Sequence, residues 1–336
     1  MATTTVDIVV YGGGFAGVAA AAKAAANTAS NKTIALIVPD PVDHNGNGSC
    51  LGSIGTIGGQ NYFDIRKDAN EELVTKGTFN WWHTKLGQHY SVDEMAALLK
   101  ADLAKYGSKI KYYYGYDISS VGWDSRITSL TVKQIKRNPT TGIVEWESVQ
   151  HTINGTVFID ASESGRLTRR ANFGGTTGRF DFPATYLDAD EKTNYGKGRQ
   201  QVATLMFKVT NIDKYATEPK PDDPGQTKNV CINHPNQVWS GAGGDYAYKH
   251  NAKILKFNNT HGPKGFPFNM AQDGPNSSEW WVNMLLVFNV DGRAYNRDKG
   301  TYLFPSDMRS DYKTVDDAWV EARNIINSAE FLDTIK

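Results

Sequence analysis

Residues 6–25 read VDIVVYGGGFAGVAAAAKAA. An apolar run over 6–11 stops at three glycines, and a run of small residues follows. A continuous apolar run is what a strand covered on both faces looks like, and the alanines of 15–26 favour a helix that can lie close on a sheet. Ile34–Val38 then reads as a second short buried strand, ended by Pro39, Asp40 and Pro41. The unit is a βαβ with Gly12, Gly14 and Gly17 in GxGxxG spacing at its first turn. In such a turn Gly12 permits the tight bend, Gly14 leaves room for a pyrophosphate against the backbone, and Gly17 lets helix and strand approach. The helix N-terminus offers N–H groups and partial positive charge to the anion. The glycines alone leave NAD, FAD, a plain phosphate or a purely structural turn open.

Further along, residues 43–61, DHNGNGSCLGSIGTIGGQN, are glycine-rich and carry neither a helical nor a strand period, which makes them a loop whose backbone approaches something closely. The stretch SVDEMAALLKADLAKYG predicts a helix over 91–107, with Ser91 and Glu94 as a capping box and Gly107 at its C-terminal cap. Residues 109–150 turn β-like: a strand over 109–118, then an antiparallel excursion (about 117–152) around the turn RNPTTG. TVFID, 156–160, returns to the main sheet. Beyond Gly174 the texture becomes strands joined by Gly/Pro-rich connections, and 314–336 reads as a terminal helix with Thr314 and Asp317 as its capping pair. The fold class expected is α/β: a Rossmann-like βαβ sheet with an antiparallel β excursion in 1–173, and a second, β-rich α+β substrate region in 174–336.

At 336 residues the chain exceeds the roughly 250–300 at which single cores stop growing, which favours two sub-domains. Its 36 basic and 36 acidic residues cancel without like-charge blocks, so no nucleic-acid or anionic-membrane surface is suggested. A small organic substrate fits better. Cys50 and Cys231 lack CxxC or zinc-like spacing, and the histidines show no HxH or HxxxH pattern, so neither a disulfide framework nor a metal site is expected. The first strand is expected to begin at Val6, with no room before it for a signal peptide, and no apolar run reaches the roughly 18 residues of a membrane helix. A cytoplasmic location is favoured. Sequons at Asn31, Asn47, Asn154, Asn258 and Asn276 keep secretion after leader removal as the alternative.

An NAD dehydrogenase would continue from the second strand into regular α/β units, whereas here a glycine-rich loop and later an antiparallel excursion are inserted. Five blocks in order, DIVVYGGGFAGVAAAAKAA, LGSIGTIGGQ (51–60), VFIDASESGRL (157–167), GRQQVATLMFKVTNID (198–213) and WWVNMLLVFNVDG (280–292), resemble the FAD-dependent oxidoreductase family of glutathione-reductase-type flavoproteins. The resemblance implies noncovalent FAD held at Gly12, Gly13, Gly14, Phe15, Ala16 and Gly17. It places Gly52, Ser53, Gly55, Thr56, Gly58 and Gly59 beside pyrophosphate and flavin, Ile118 by the adenine, and Asp160, Ala161 and Ser162 over the adenosine. The implied activity is transfer of a hydride or electron pair between an organic substrate and FAD.

Three departures accompany it. Val38 stands where the strand-end acid for the ribose is expected, leaving Asp40 as the nearest carboxylate. Ser164 and Arg166 occupy positions where acids are expected. The family's closing glycine-rich strand and helix are not found before Lys336, which leaves three expectations: the sequence is a fragment, or a second polypeptide or self-association completes the FAD domain, or part of the site has been lost, the first two being favoured. The alternative function is a non-catalytic or truncated flavin- or nucleotide-binding subunit that needs such a partner. Hydride chemistry belongs to the flavin, so no triad is required. His83 and His89, after the second loop, are the weak general acid or base candidates, with hydrogen-bonded structural histidines as the competing reading. His234, His250 and His261 receive no role.

Overall fold

The computed structural model describes residues 2–41, 46–74, 76–177, 185, 189, 200, 202–212, 230–242, 252–261 and 269–335. In chain order the regular elements begin β1 (Ala2–Thr5), β2 (Ile8–Tyr11), α1 (Phe15–Asn27), β3 (Ile34–Val38), α2 (Gly77–Leu86) and α3 (Val92–Ala104). There follow β4 (Ile110–Tyr114), β5 (Tyr116–Asp124), β6 (Arg126–Arg137), β7 (Val144–Asn154), β8 (Val157–Asp160) and α4 (Arg166–Arg170). Next come β9 (Ala203–Thr204), β10 (Phe207–Thr210), β11 (Val230–Asn233), β12 (Trp239–Ala242) and α5 (Ala252–His261). The last are β13 (Asn269–Gln272), β14 (Glu279–Asn283), β15 (Leu286–Val287), α6 (Val315–Ile326) and α7 (Ala329–Ile335). The chain divides into two compact units: residues 1–47, 106–203 and 287–322 form the first, and 48–105, 204–286 and 323–336 the second.

The first unit holds a parallel sheet in the order β4-β3-β2-β8 and a second sheet in the order β1-β7-β6-β5. In the parallel sheet Val9 pairs with Ala35 and Phe158, and every residue of β3 is buried. One face is covered by α1 through Gly17, Val18, Ala21, Ala22 and Ala25. Alanine suits this position because it gives high helix propensity without holding the helix away from the strands. The other face contributes Val9, Tyr11, Ala35 and Ile37 to a core completed by Ile118, Leu130, Val132, Ile153 and Leu167.

The expected single strand over 109–118 is broken in two. Gly115, at φ +70°, takes the chain out of β4 and into β5 of the other sheet, and its N–H still bonds to the Val38 carbonyl at 3.0 Å. A positive φ at this point needs glycine. The N-terminus also differs from expectation: residues 2–5 are not a leader to the first strand but form β1, parallel to β7 with Ala2 opposite His151. The β2 strand starts at Ile8, because Val6 and Asp7 carry the chain between the sheets and bond to Asn154 and Thr33.

The second unit is built on an antiparallel sheet, β10-β14-β13-β12-β11. It includes α2 and α5, two helices the sequence does not announce: α2 starts at a glycine and carries adjacent tryptophans, so its apolar residues make no clean stripe. The helix expected over 91–107 is α3, but the capping box does not form, since the Ser91 side chain does not cap it. Instead the Val92 N–H donates to Asp273 Oδ1 at 2.9 Å. The terminal helix starts as expected, with the Asp317 N–H donating to Thr314 Oγ1 at 3.1 Å, but it is two helices. The break is made by Ser328, whose Oγ donates to the Ile325 carbonyl and accepts from the Phe331 N–H. Among the described residues no helix is long and apolar enough to cross a membrane.

Candidate functional site

The glycine turn lies at the C-terminal end of β2. Gly12 has φ +121°, and a Cβ there would lie 2.5 Å from the Ala161 carbonyl oxygen and 2.9 Å from the Ser162 nitrogen. At Gly17 a Cβ would lie 1.8 Å from the Gly12 carbonyl oxygen, and at Gly13 it would lie 2.3 Å from Val38 Cγ1. Three backbones therefore meet where only hydrogen fits, and the structure brings the 12–17 turn and the 160–162 turn together. Gly14 is the N-cap of α1, with no side-chain cap and no acid in the helix's first turn. With no cap or first-turn acid to compete, the positive end of the helix suits a pyrophosphate, and the residues present fit a dinucleotide there.

Asp160 holds the adjacent turn rather than facing outward. Its Oδ1 accepts from Ser162 N–H (3.0 Å) and Oγ–H (2.6 Å), and its Oδ2 from Thr168 N–H (2.8 Å) and Oγ1–H (2.7 Å). Ser162 Oγ accepts in turn from the Arg166 N–H at 2.9 Å. Both side chains are thus committed to folding 160–168, and what this turn offers a ligand is backbone. Val38 is buried with its side chain against Gly13, and Asp40 lies half-buried beyond the end of β3. Ile118 is fully buried in the core and sits in β5 opposite Val132.

Behind the turn is a charged network with no signature in local sequence. The Tyr11 hydroxyl, one residue before Gly12, donates to Asp117 Oδ1 at 2.7 Å. Asp117 also accepts from Arg166 Nε (2.8 Å), from Arg297 (2.6 Å) and from the Ile118 N–H (2.7 Å). Arg166 forks onto Asp298 at 2.6 and 3.1 Å, and the Tyr295 ring lies under the Arg297 guanidinium at 4.2 Å. Burial pushes the Asp117 carboxyl up, but the two guanidiniums and the Tyr11 hydroxyl outweigh it and hold the group well below the usual carboxylate range. Burial, with Asp117 beside it, holds the Tyr11 phenol well above its ordinary range, so Tyr11 acts only as a donor. Arg166, which departs from the expected acid, is compensated by two aspartates far away in sequence.

In the second unit the glycine-rich loop closes on itself. Gly55 N–H bonds to Gly52 O, Gly58 N–H to Ser53 O, Gly59 N–H to Thr56 O and Gln60 N–H to Ile54 O, all within 2.8–3.0 Å. Gly52 takes φ +99° with no room for a Cβ beside Leu99 and Thr56, Gly58 lies against Ile54, and Gly59 lies flat on the Trp281 ring, where a Cβ would come within 2.4 Å. Thr56 is buried and its hydroxyl donates to the Ser53 carbonyl at 3.3 Å, while the Tyr90 hydroxyl lies 3.1 and 3.0 Å from the Gly55 and Gln60 carbonyls. Cys50 is a buried thiol.

Of the two histidine candidates, His83 lies on α2 beside Phe63 and Phe79. His89 is buried and stacks on His234 with ring centroids 3.7 Å apart, and Tyr62 flanks it at 5.7 Å. His234, to which the sequence gives no role, is bonded through Nε2 to Ser240 Oγ at 2.7 Å. Burial and the second imidazole lower the His89 pKa to about 4, which leaves it neutral and a weak base at neutral pH. His250 and residues 198–199, 201 and 213 of the fourth sequence block lie outside the described residues. Among the described residues no group of three His, Cys, Asp or Glu side chains converges on a point a metal could occupy.

The myxobacterial chondrochloren halogenase, an FAD-dependent halogenase, matches in structure with a TM-score of 0.37 and 13% identity over 99% of this chain and 57% of its own. A flavin-dependent brominase matches with a TM-score of 0.36 and 13% identity over 77% of this chain and 62% of its own. For p-nitrophenol 4-monooxygenase from Pseudomonas putida the values are 0.29 and 12%, over 53% and 46%. The chain thus spans about half to three-fifths of the length of these structures. No curated protein matches it in sequence. The family model described as FAD dependent oxidoreductase matches residues 7–327, and the chain belongs to that family.

Proposed function

We propose that this protein passes a hydride or an electron pair between a small organic substrate and noncovalently bound FAD. The carrying observation is the turn between β2 and α1, where Gly12 and Gly17 admit no Cβ and α1 begins without a capping side chain or a first-turn acid. The flavin supplies the redox chemistry when bound. The chain's own part is to bind and orient: backbone at 12–17 toward the pyrophosphate, backbone at Ala161 and Ser162 closing beside it, and Asp40 toward a ribose hydroxyl. Tyr11 moves no proton and instead fixes the end of β2 through Asp117. In the 51–59 loop Ser53 is the better hydroxyl donor to a ligand, because Thr56 already donates within the loop. Residues 1–173 are assigned the FAD-binding role and 174–336 the substrate role.

The test is flavin retention by the full-length protein. After incubation with FAD and gel filtration, flavin absorbance near roughly 450 nm is expected to travel with the protein. Gly14→Asp keeps a favourable helix N-cap but sets a carboxylate against the pyrophosphate, and is expected to lose at least about tenfold in affinity, a cost of about 1.4 kcal/mol. A wild-type protein that keeps no flavin, or a Gly14→Asp variant that keeps as much, overturns the reading. A partner-dependent nucleotide-binding subunit is the second reading, favoured by the apolar Val38 at the strand end. It is supported if FAD raises the thermal midpoint at high concentration yet washes off during filtration.

A further inference from the structure

The first unit carries a cavity unrelated to the glycine turn in its chemistry. It has a volume of about 680 Å³ and is walled by Val121, Trp123, Phe173 and Tyr302, with Arg170 and Asn172 contributing the polar groups. Its aromatic walls are exposed in a way core residues are not: Trp123 is 51%, Phe173 53% and Tyr302 66% exposed. Trp123 and Phe173 stand edge to face at 5.7 Å, a contact pair whose half-exposed rings offer further aromatic surface against which a third ring can pack. Among the described residues no carboxylate lines this cavity, whereas its neighbour, which shares Asn172, Phe173 and Tyr302, holds both Glu163 and Asp307.

Charge counting in the buried network that Arg170 joins to the cavity points to an anion. Arg166, Arg170 and Arg297 are buried with Asp117 and Asp298, three positive charges against two negative. Arg170 is the weakly served member. Its NH2 reaches Asp298 at 3.3 Å, an oxygen already taken by Arg166, and its buried Nε has no partner. Arg169, the preceding residue, has only carbonyl hydrogen bonds of 3.2–3.4 Å and no carboxylate within ion-pair range among the described residues. Surplus buried positive charge is costly unless an anion offsets it. The Arg170 guanidinium already lies 5.3 Å from the Tyr302 ring, whose hydroxyl donates to the Arg170 carbonyl at 3.0 Å, so cation and aromatic wall are fixed together.

We propose that this cavity binds a small aromatic carboxylate, its ring among Trp123, Phe173 and Tyr302 and its carboxylate toward Arg170. The site does not depend on the flavin reading, and its test needs no turnover. The probe is benzoate, titrated calorimetrically into the full-length protein with and without FAD, with benzyl alcohol as the uncharged ring and inorganic phosphate as the anion without a ring. Benzoate is expected to bind one per chain, with benzyl alcohol and phosphate at least about tenfold weaker. Trp123→Ala, at an exposed position, is expected to weaken benzoate about 3- to 10-fold, the range of one aromatic pair, and to leave FAD binding unchanged. Arg170→Gln, its fold checked by circular dichroism, is expected to weaken benzoate about tenfold; if it does not fold, the benzyl alcohol comparison carries the charge test. Failure of benzoate to bind overturns the proposal. So does equal binding of benzyl alcohol or phosphate, or a Trp123→Ala variant that binds as wild type.

Discussion

Gly17 shows how a single hydrogen can set a site. Its Cα faces the Gly12 carbonyl, and an added Cβ would lie 1.8 Å from that oxygen and 2.7 Å from its carbon, far inside contact distance, against backbone rather than the end of a flexible side chain. Gly17→Ala is therefore expected to cost about 3 kcal/mol, the upper end of overpacking penalties, because α1 must move off β2. Gly174→Ala is the control, since among the described residues a Cβ there meets nothing within 4 Å and the backbone is not left-handed; about 0.5 kcal/mol or less is expected. Urea denaturation of the two variants measures the difference, and equal midpoints would contradict the packing account. The GxGxxG spacing was readable because the chemistry of the turn is local. Arg166 was not, since its partners Asp117 and Asp298 are 49 and 132 residues away, and no periodicity links such positions.

At the scale of elements, legibility followed the range of the forces involved. The βαβ and the helix over 92–104 were plain from the sequence because apolar period and propensity are properties of consecutive residues. What capped that helix was not. Ser91 and Glu94 satisfy the capping-box pattern, yet the Val92 N–H goes to Asp273, whose Oδ2 is also 2.8 Å from Lys208. A tertiary carboxylate held by an ion pair displaces the local cap. Asp273→Ala should accordingly destabilise the chain by about 1–2 kcal/mol and Ser91→Ala by less than about 0.5 kcal/mol, on the scale of N-cap substitutions. Thermal or urea unfolding checks the order, and the reverse order would restore the capping box. The split of one expected strand at Gly115 has a similar origin: composition over 109–118 is uniformly β-like, and only the positive φ of one glycine moves the chain from one sheet to the other.

For the molecule as a whole, the two units carry buried titrating groups that respond to acid in separate windows. In the second unit His89 has its pKa lowered to about 4 by burial and by His234, against about 6.5 when unfolded. Between those values the unfolded chain binds the extra proton, so stability falls as pH drops from about 6.5 to about 4. In the first unit burial alone would raise Asp117, but Arg166 and Arg297 hold it well below its ordinary value. Its contribution is complete above the unfolded carboxylate pKa of about 3.9 and is lost as pH falls further, toward the depressed folded value. Acid should therefore destabilise the chain in two stages, first through the imidazole pair and only below about pH 4 through the arginine–aspartate network. His89→Phe keeps a ring against Tyr62 and His234 but cannot titrate, and is expected to flatten the thermal midpoint between about pH 6.5 and 4 while leaving the steeper loss below about pH 4 in place. Asp117→Asn should do the opposite, lowering stability at about pH 7 by about 3–5 kcal/mol, because buried Arg297 loses its carboxylate and Arg166 keeps only Asp298, while reducing the acid sensitivity below about pH 4. Differential scanning calorimetry across roughly pH 3–7 separates the two, and a His89→Phe profile that matches wild type would show that the stacked histidines do not hold the neutral form on which the first stage depends.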